Sequence, residues 1–255
     1  PEWRGDVFEP GVSGNGGDRG DRRGRRDVVL WVDTFSTYFE PENARAAMRV
    51  LEAAGYRVAI AVPRDRGRPV CCGRTFLSAG LVDEARTEAR RVVESLRPYA
   101  ERGVPIVGLE PSCLLTLRDE FSALFPAGEV EPLARNAFLL EEFLAREAAS
   151  ESLRLELRPV AAKRLLLHGH CHQKAFGVMP AVEQMLARIP GATVQPIESS
   201  CCGMAGSFGY ESEHYDLSMR MAELSLLPAV RAADQDTWIV ADGTSCRRQI
   251  LDGSG

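Results

Sequence analysis

The sequence predicts an α/β fold of two pseudo-repeated halves, each a small parallel sheet flanked by helices. Three observations carry this. Short apolar strands alternate with amphipathic helices, the order that builds parallel sheets covered by helices. The triplet Cys-Cys-Gly occurs twice, at Cys71-Cys72-Gly73 and Cys201-Cys202-Gly203, each time at the same place in that alternation. Landmarks of the two halves recur in the same order at a nearly constant offset: 136 for Gly55 and Gly191, 130 for Cys71 and Cys201, 133 for Cys113 and Cys246. Such recurrence argues for an internal duplication.

Residues 1–26 are rich in Gly, Arg and Asp. They have too little apolar surface to offset the entropy of ordering, so a flexible linker or tail is expected. The first half is expected over residues 27–130. Residues 28–32 form a short apolar run that reads as a buried strand. A helix follows over 41–54, with Pro41 near its start and Gly55 at its end. Residues 57–62 read as a second strand. After the first Cys-Cys-Gly, residues 81–101 have the spacing of a long amphipathic helix, closed by Gly103. A third strand over 104–109 ends at Glu110-Pro111-Ser112-Cys113. Residues 131–150 read as a connecting helix, with a polar stretch to 162. The second half, residues 163–255, repeats the pattern. It has a strand at 165–167, a helix over 180–189 and a segment 191–194 matching 55–58. Then come the second Cys-Cys-Gly, a helix over about 213–227, and a strand at 237–241 ending at Gly243-Thr244-Ser245-Cys246.

The chain has 255 residues and is 45% hydrophobic, enough for two fused halves with a real core. A net charge of −5 gives no electrostatic case for nucleic-acid binding. No apolar run reaches the ~18 residues of a transmembrane segment, and no signal-peptide pattern opens the chain. The chain starts without Met and reads as a piece of something longer, with another domain before the linker. Seven cysteines without a secretory signal point to the cytoplasm, where clustered cysteines bind metals or act chemically more often than they pair.

Thiolates are preferred ligands of iron, zinc and copper(I). Cys113, Cys171 and Cys246 each follow an apolar strand, and α/β sheets bind ligands beyond the carboxyl ends of their strands. In the second half Cys171, Cys201, Cys202 and Cys246 make a set of four, sufficient for a tetrahedral zinc site or a four-iron cluster. Gly203, Gly206 and Gly209 follow the second pair and allow backbone N–H groups to curl around an anion. The first half has Cys71, Cys72 and Cys113, while Thr34, beside Asp33, stands where Cys171 stands in the second. Two readings apply there: three thiolates with an oxygen ligand, or a decayed copy kept for architecture. His168, His170 and His172 surround Cys171. Mixed Cys/His zinc ligation, a hydrogen bond or proton shuttle beside a cluster, and plain packing are the readings for them. A redox switch between vicinal cysteines is less economical, because the whole frame is duplicated. No nucleophile elbow or dinucleotide fingerprint is found.

At these residues the chain resembles a known family. The twin Cys-Cys-Gly frame is similar to the cysteine-rich (CCG) domain of the heterodisulfide reductase B subunit, the glycolate oxidase iron–sulfur subunit, the anaerobic glycerol-3-phosphate dehydrogenase small subunit and lactate-utilisation proteins. It most resembles the carboxyl-terminal part of fused FAD-linked oxidases. The segments that carry the likeness are residues 33–41, 108–118, 168–174 and 201–210. The family pattern is Cys, then Cys-Cys-Gly, then Cys-x-x-Cys in each half. Here Glu110 and Gly243 stand where the first cysteine of Cys-x-x-Cys would be, and the leading cysteine of the first half is absent.

The resemblance implies a [4Fe–4S] cluster on Cys171, Cys201, Cys202 and Cys246. It implies FAD on an upstream domain or a partner subunit, a ferredoxin-like iron–sulfur segment, and a quinone or other electron acceptor. The implied function is electron transfer in a flavin-dependent 2-hydroxy-acid (lactate- or glycolate-type) dehydrogenase or oxidase. The implied place is cytoplasmic or peripheral at the inner face of the membrane. The alternatives are a zinc-stabilised docking module and disulfide reduction at the cluster.

Overall fold

The computed structural model describes residues 4–9, 26–63, 68–199 and 201–254. Two compact units divide the chain: Pro1–Phe143 with Ser152–Leu155, and Leu144–Glu151 with Glu156–Gly255.

The first unit is built on strand β1 (Arg26–Trp31), whose residues 28–31 are almost wholly buried. A run of Val-Val-Leu-Trp with no polar alternation suits a strand covered on both faces. Helix α1 (Thr34–Tyr38) and helix α2 (Pro41–Ala53) follow. Ala44, Ala47 and Leu51 fall on one face of α2 and are buried. Gly55, at φ +87°, ends α2 in the left-handed conformation that favours glycine and turns the chain into β2 (Tyr56–Ile60). Next come α3 (Arg74–Ser78) and α4 (Val82–Ala100), the latter within a residue of expectation at each end. β3 (Ile106–Gly108), α5 (Pro111–Leu114), α6 (Glu120–Leu124), α7 (Ala127–Asn136) and β4 (Ala137–Leu139) complete the series, and α8 (Leu140–Ala149) is divided between the two units at residue 143. The sheet order is β2-β1-β3-β4, all parallel.

The second unit has β5 (Arg164–His168), α9 (Cys171–Ala175), α10 (Met179–Ala187) and β6 (Thr193–Pro196). After the second Cys-Cys-Gly come α11 (Tyr215–Ala222), α12 (Leu226–Arg231), β7 (Thr237–Ala241) and α13 (Thr244–Ser254). Its sheet order, β6-β5-β7, is parallel and matches β2-β1-β3. The α/β architecture of two repeated halves is thus present.

Three expectations are corrected. The single connecting helix over 131–150 is two helices separated by β4, which pairs with β3 at Ile106↔Ala137 and Gly108↔Leu139. Three strand residues are too few to show a period, so the flanking helical pattern hid them. The helix over 213–227 is broken at residues 223–225 and resumes as α12. Pro228 has no N–H to donate to the carbonyl of Leu224, and a continuous helix would require that bond. The linker over 1–26 is not wholly free. Phe8 is buried, its N–H donates to Thr37 O at 2.9 Å, and Arg4 N–H donates to Tyr38 O at 3.0 Å. Residues 1–3 and 10–25 of that stretch lie outside the described residues.

Asp33 caps α1. One carboxylate oxygen accepts from Phe35 N at 2.8 Å and Ser36 N at 2.9 Å, and the other from Ser36 Oγ at 2.8 Å. Burial pushes this carboxyl above its ordinary range, against the pull of those donors. Asp33→Ala is expected to cost about 1–2 kcal/mol of unfolding free energy in urea titration. Asp33→Asn retains an accepting oxygen and is expected to cost less; equal losses in the two variants would refute the capping account.

Candidate metal centre

Cys171, Cys201, Cys202 and Cys246 lie beyond the carboxyl ends of β5, β6 and β7. Cys171 is the first residue of α9 and is exposed, Cys201 is half-buried, and Cys202 and Cys246 are buried. Each side chain perturbs the next in one series, Cys171 with Cys201, Cys201 with Cys202, and Cys202 with Cys246.

Negative charge concentrates on two members of the series. Donation from Cys171, then Cys202, holds Cys201 far below the ordinary thiol range, with help from the backbone N–H groups of Gly203 and Ala205. The Gly203 N–H lies 3.3 Å from Cys201 Sγ. Cys246 is lowered to about 6, first by Cys202 and then, against burial, by the His168 ring. Cys171 and Cys202 are pushed up correspondingly, because each donates to a neighbouring sulfur and is partly or wholly desolvated. Metal ligands must be thiolates, and the surroundings favour that form at Cys201 and Cys246.

The loop that carries the pair is shaped by backbone constraints. Gly203 has φ +94°, and a Cβ there would lie 2.2 Å from Ser218 O of α11. Gly206 has φ +72° but open space around it. Ala205 also adopts a left-handed φ of 42°, unusual for a residue with a Cβ, and its N–H serves Cys201.

The histidines take separate roles. His170 caps α9: its Nδ1 accepts from His172 N at 3.1 Å, as Asp33 does for α1. Its ring stacks on that of His172 with centroids 5.1 Å apart. A Cβ at Gly243 would lie 2.4 Å from His170 Cδ2, so the imidazole fills the place where the family pattern has a further cysteine. His168 Nδ1 lies 2.8 Å from Ser199 Oγ. Ser199 carries no periodic or motif signal, and sequence reasoning missed it.

The first unit keeps the frame with different chemistry. Gly73, at φ +81°, would place a Cβ 2.6 Å from Ala85 O of α4. Ala85 and Ser218 are 133 residues apart, the offset of Cys113 and Cys246. Cys72 and Cys113 sulfurs are 3.5 Å apart, and Thr34 bonds Cys71 as Cys171 bonds Cys201. The Cys72 bond lowers Cys113, but burial and the nearby Asp33 and Glu110 outweigh it and push Cys113 up to about 11. Cys71 and Cys72 are also raised, first by their bonds to Cys72 and Cys113 respectively. Burial, neighbouring thiols and nearby carboxylates thus disfavour thiolates in this triad, whereas the surroundings of the second set favour them at Cys201 and Cys246.

The donor set of the second unit fits iron–sulfur ligation. It offers four sulfurs, with backbone N–H groups of Gly203, Met204 and Ala205 directed at two of them. Among the described residues no three of these sulfurs lie within 4.8 Å of one another. A single tetrahedral zinc at about 2.3 Å would draw its sulfurs to about 3.8 Å apart, so the set is spread more widely than one zinc requires.

The cysteine-rich domain family named CCG matches at residues 33–118 and again at 165–250, which is each half in turn. This chain belongs to that family.

This CCG protein is similar to proteins of several bacteria. It is 28% identical to the C subunit of anaerobic glycerol-3-phosphate dehydrogenase from Escherichia coli strain K12, over 88% of this chain and 54% of that protein. It is 30% identical to D-2-hydroxyglutarate dehydrogenase of Pseudomonas putida, over 88% of this chain and 21% of that protein. It is 25% identical to lactate utilization protein A of Bacillus subtilis, over 78% of this chain and 77% of that protein. The chain thus spans about half the length of the first relative and about a fifth of the second. No helix among the described residues is long and apolar enough to cross a membrane.

Proposed function

We propose that this chain is the iron–sulfur electron-transfer unit of a flavin-dependent dehydrogenase or oxidase of small 2-hydroxy acids, with a [4Fe–4S] cluster on Cys171, Cys201, Cys202 and Cys246. The observation that carries the reading is the placement of four cysteines beyond the ends of β5, β6 and β7, with the Gly203 N–H on one of their sulfurs. The relatives support the substrate class: 2-hydroxyglutarate, lactate and glycerol 3-phosphate are all small anionic molecules whose oxidised carbon is a secondary alcohol. FAD sits on a further domain or partner subunit, with a ferredoxin-like segment between. A quinone or similar carrier accepts the electrons, and the cytoplasm or the inner membrane face is the place of action.

When bound, the cluster accepts and releases single electrons, with a potential set by hydrogen bonds and exposure. The chain's own residues set those conditions. The N–H groups of Gly203, Met204 and Ala205 stabilise negative charge on sulfur. The burial of Cys202 and Cys246 keeps water from that side, and the exposure of Cys171 leaves one ligand at the surface.

One observation favours a second reading, a zinc site. Donor atoms of His168, Cys202 and Cys246 lie within 4.8 Å of one another. Anaerobic purification with metal analysis and EPR of the reduced chain separates the two. About four irons and a reduced-cluster signal are expected. One zinc and a silent spectrum would replace the electron-transfer reading with a structural one, and about eight irons would place a second cluster in the first unit.

A further inference from the structure

We propose that His168, held in place by Ser199, donates a hydrogen bond to the Cys246 sulfur and so raises the reduction potential of the centre on the second cysteine set; this rests on the iron–sulfur reading above. His168 is the last residue of β5, paired in register with Ala241 of β7, and only 1% exposed. A nitrogen of its ring lies within 4.8 Å of the Cys246 sulfur, and the ring favours negative charge on that sulfur. Its Nδ1 is engaged by Ser199 Oγ, which leaves the other ring nitrogen for sulfur. Ser199 is buried and is itself fixed, because its carbonyl accepts from Lys174 Nζ of α9. A serine hydroxyl donating to Nδ1 sets the tautomer with the ring proton on Nε2, the form that donates to a ligand sulfur.

The repeat supplies the contrast. Trp31 stands at the His168 position, at the 137 offset that also relates Thr34 to Cys171. Among the described residues its buried indole N–H has no hydrogen-bond partner, and the groups that most perturb Cys113 include no imidazole. The ring-to-sulfur bond is thus a feature of the set with four thiols. A hydrogen bond to a ligand sulfur withdraws electron density and favours the reduced, more negative cluster, so its loss lowers the potential.

The test is a reductive titration at one pH, followed by EPR, on the full chain loaded anaerobically with iron and sulfide. His168→Leu is expected to keep the iron and sulfide content of the unaltered chain. It is expected to shift the one-electron reduction equilibrium about tenfold toward the oxidised form, ~59 mV. Ser199→Ala is expected to shift it in the same direction by about threefold, since the ring loses its anchor but keeps its proton. His168→Gln, which retains an N–H donor, should recover most of the loss. If the unaltered chain loads iron and His168→Leu leaves the potential unchanged, the inference fails and the iron–sulfur reading stands. A glutamine variant no better than leucine would reduce His168 to packing and also overturn it. If His168→Leu does not assemble a centre, an unshifted potential in Ser199→Ala overturns the inference in its place. An unaltered chain that takes up no iron removes the iron–sulfur reading and this inference together.

Discussion

Replacing Gly203 with alanine is expected to destabilise the second unit by about 3 kcal/mol or more, measured by urea unfolding of the metal-free chain. Two costs combine. The residue holds φ +94°, a conformation that costs an L side chain about 1–2 kcal/mol. The new methyl would also sit 2.2 Å from Ser218 O and 3.0 Å from Gln249 Nε2. Neither neighbour yields easily. Gln249 Nε2 donates to Ser218 O at 3.1 Å and to Ser218 Oγ at 3.0 Å, so α11 and α13 would have to part. Gly206→Ala, at φ +72° in open space, is the control and carries the backbone cost alone, about 1 kcal/mol. Similar losses at the two positions would show that the close approach of α11 to the Cys-Cys-Gly loop does not decide the matter.

Cys202→Ser is expected to reduce iron uptake from about four atoms per chain to below one. Cys202 is 3% exposed and bonds both Cys201 and Cys246, so its sulfur joins the outer and inner parts of the set. Serine matches its volume closely and leaves the fold intact, but a hydroxyl deprotonates far less readily than a thiol and its hard oxygen suits iron–sulfur chemistry poorly. Cys72→Ser makes the equivalent change in the first unit, where Cys113 is pushed up to about 11, and is expected to leave iron content unchanged. Full iron in Cys202→Ser would remove that residue from the ligand set. Equal losses in both variants would mean that the first triad also holds metal.

Much of the fold was legible because burial leaves a pattern. The run Val28-Val29-Leu30-Trp31 announces a covered strand, and the spacing of Ala85, Ala89, Val92 and Leu96 announces α4. β4 was not legible, since three residues between two helices have no measurable period. The break between α11 and α12 was marked by Pro228, but helical spacing on both sides obscured it. At the site, the spacing of cysteines and glycines identified which residues carry the chemistry. It did not reveal that Ser199 meets His168 across 31 residues of sequence, nor that His170 fills the space beside Gly243. The different ionisation tendency of the two cysteine sets was equally hidden, because Asp33 reaches Cys113 only once β1 and β3 lie side by side.

The different ionisation tendencies of the first unit's triad and the second unit's set have a consequence for how the protein persists in a cell. A ligand that binds only the native state adds stability that grows with its free concentration, about 4 kcal/mol at a thousandfold excess over Kd. Under the proposal, iron supplies that increment through the loops of the second unit and supplies none through those of the first. Iron supply then governs the lifetime of one half of a single polypeptide. When it falls, proteases meet the second unit first, and the duplicated frame of the first is left with only its packing to preserve it.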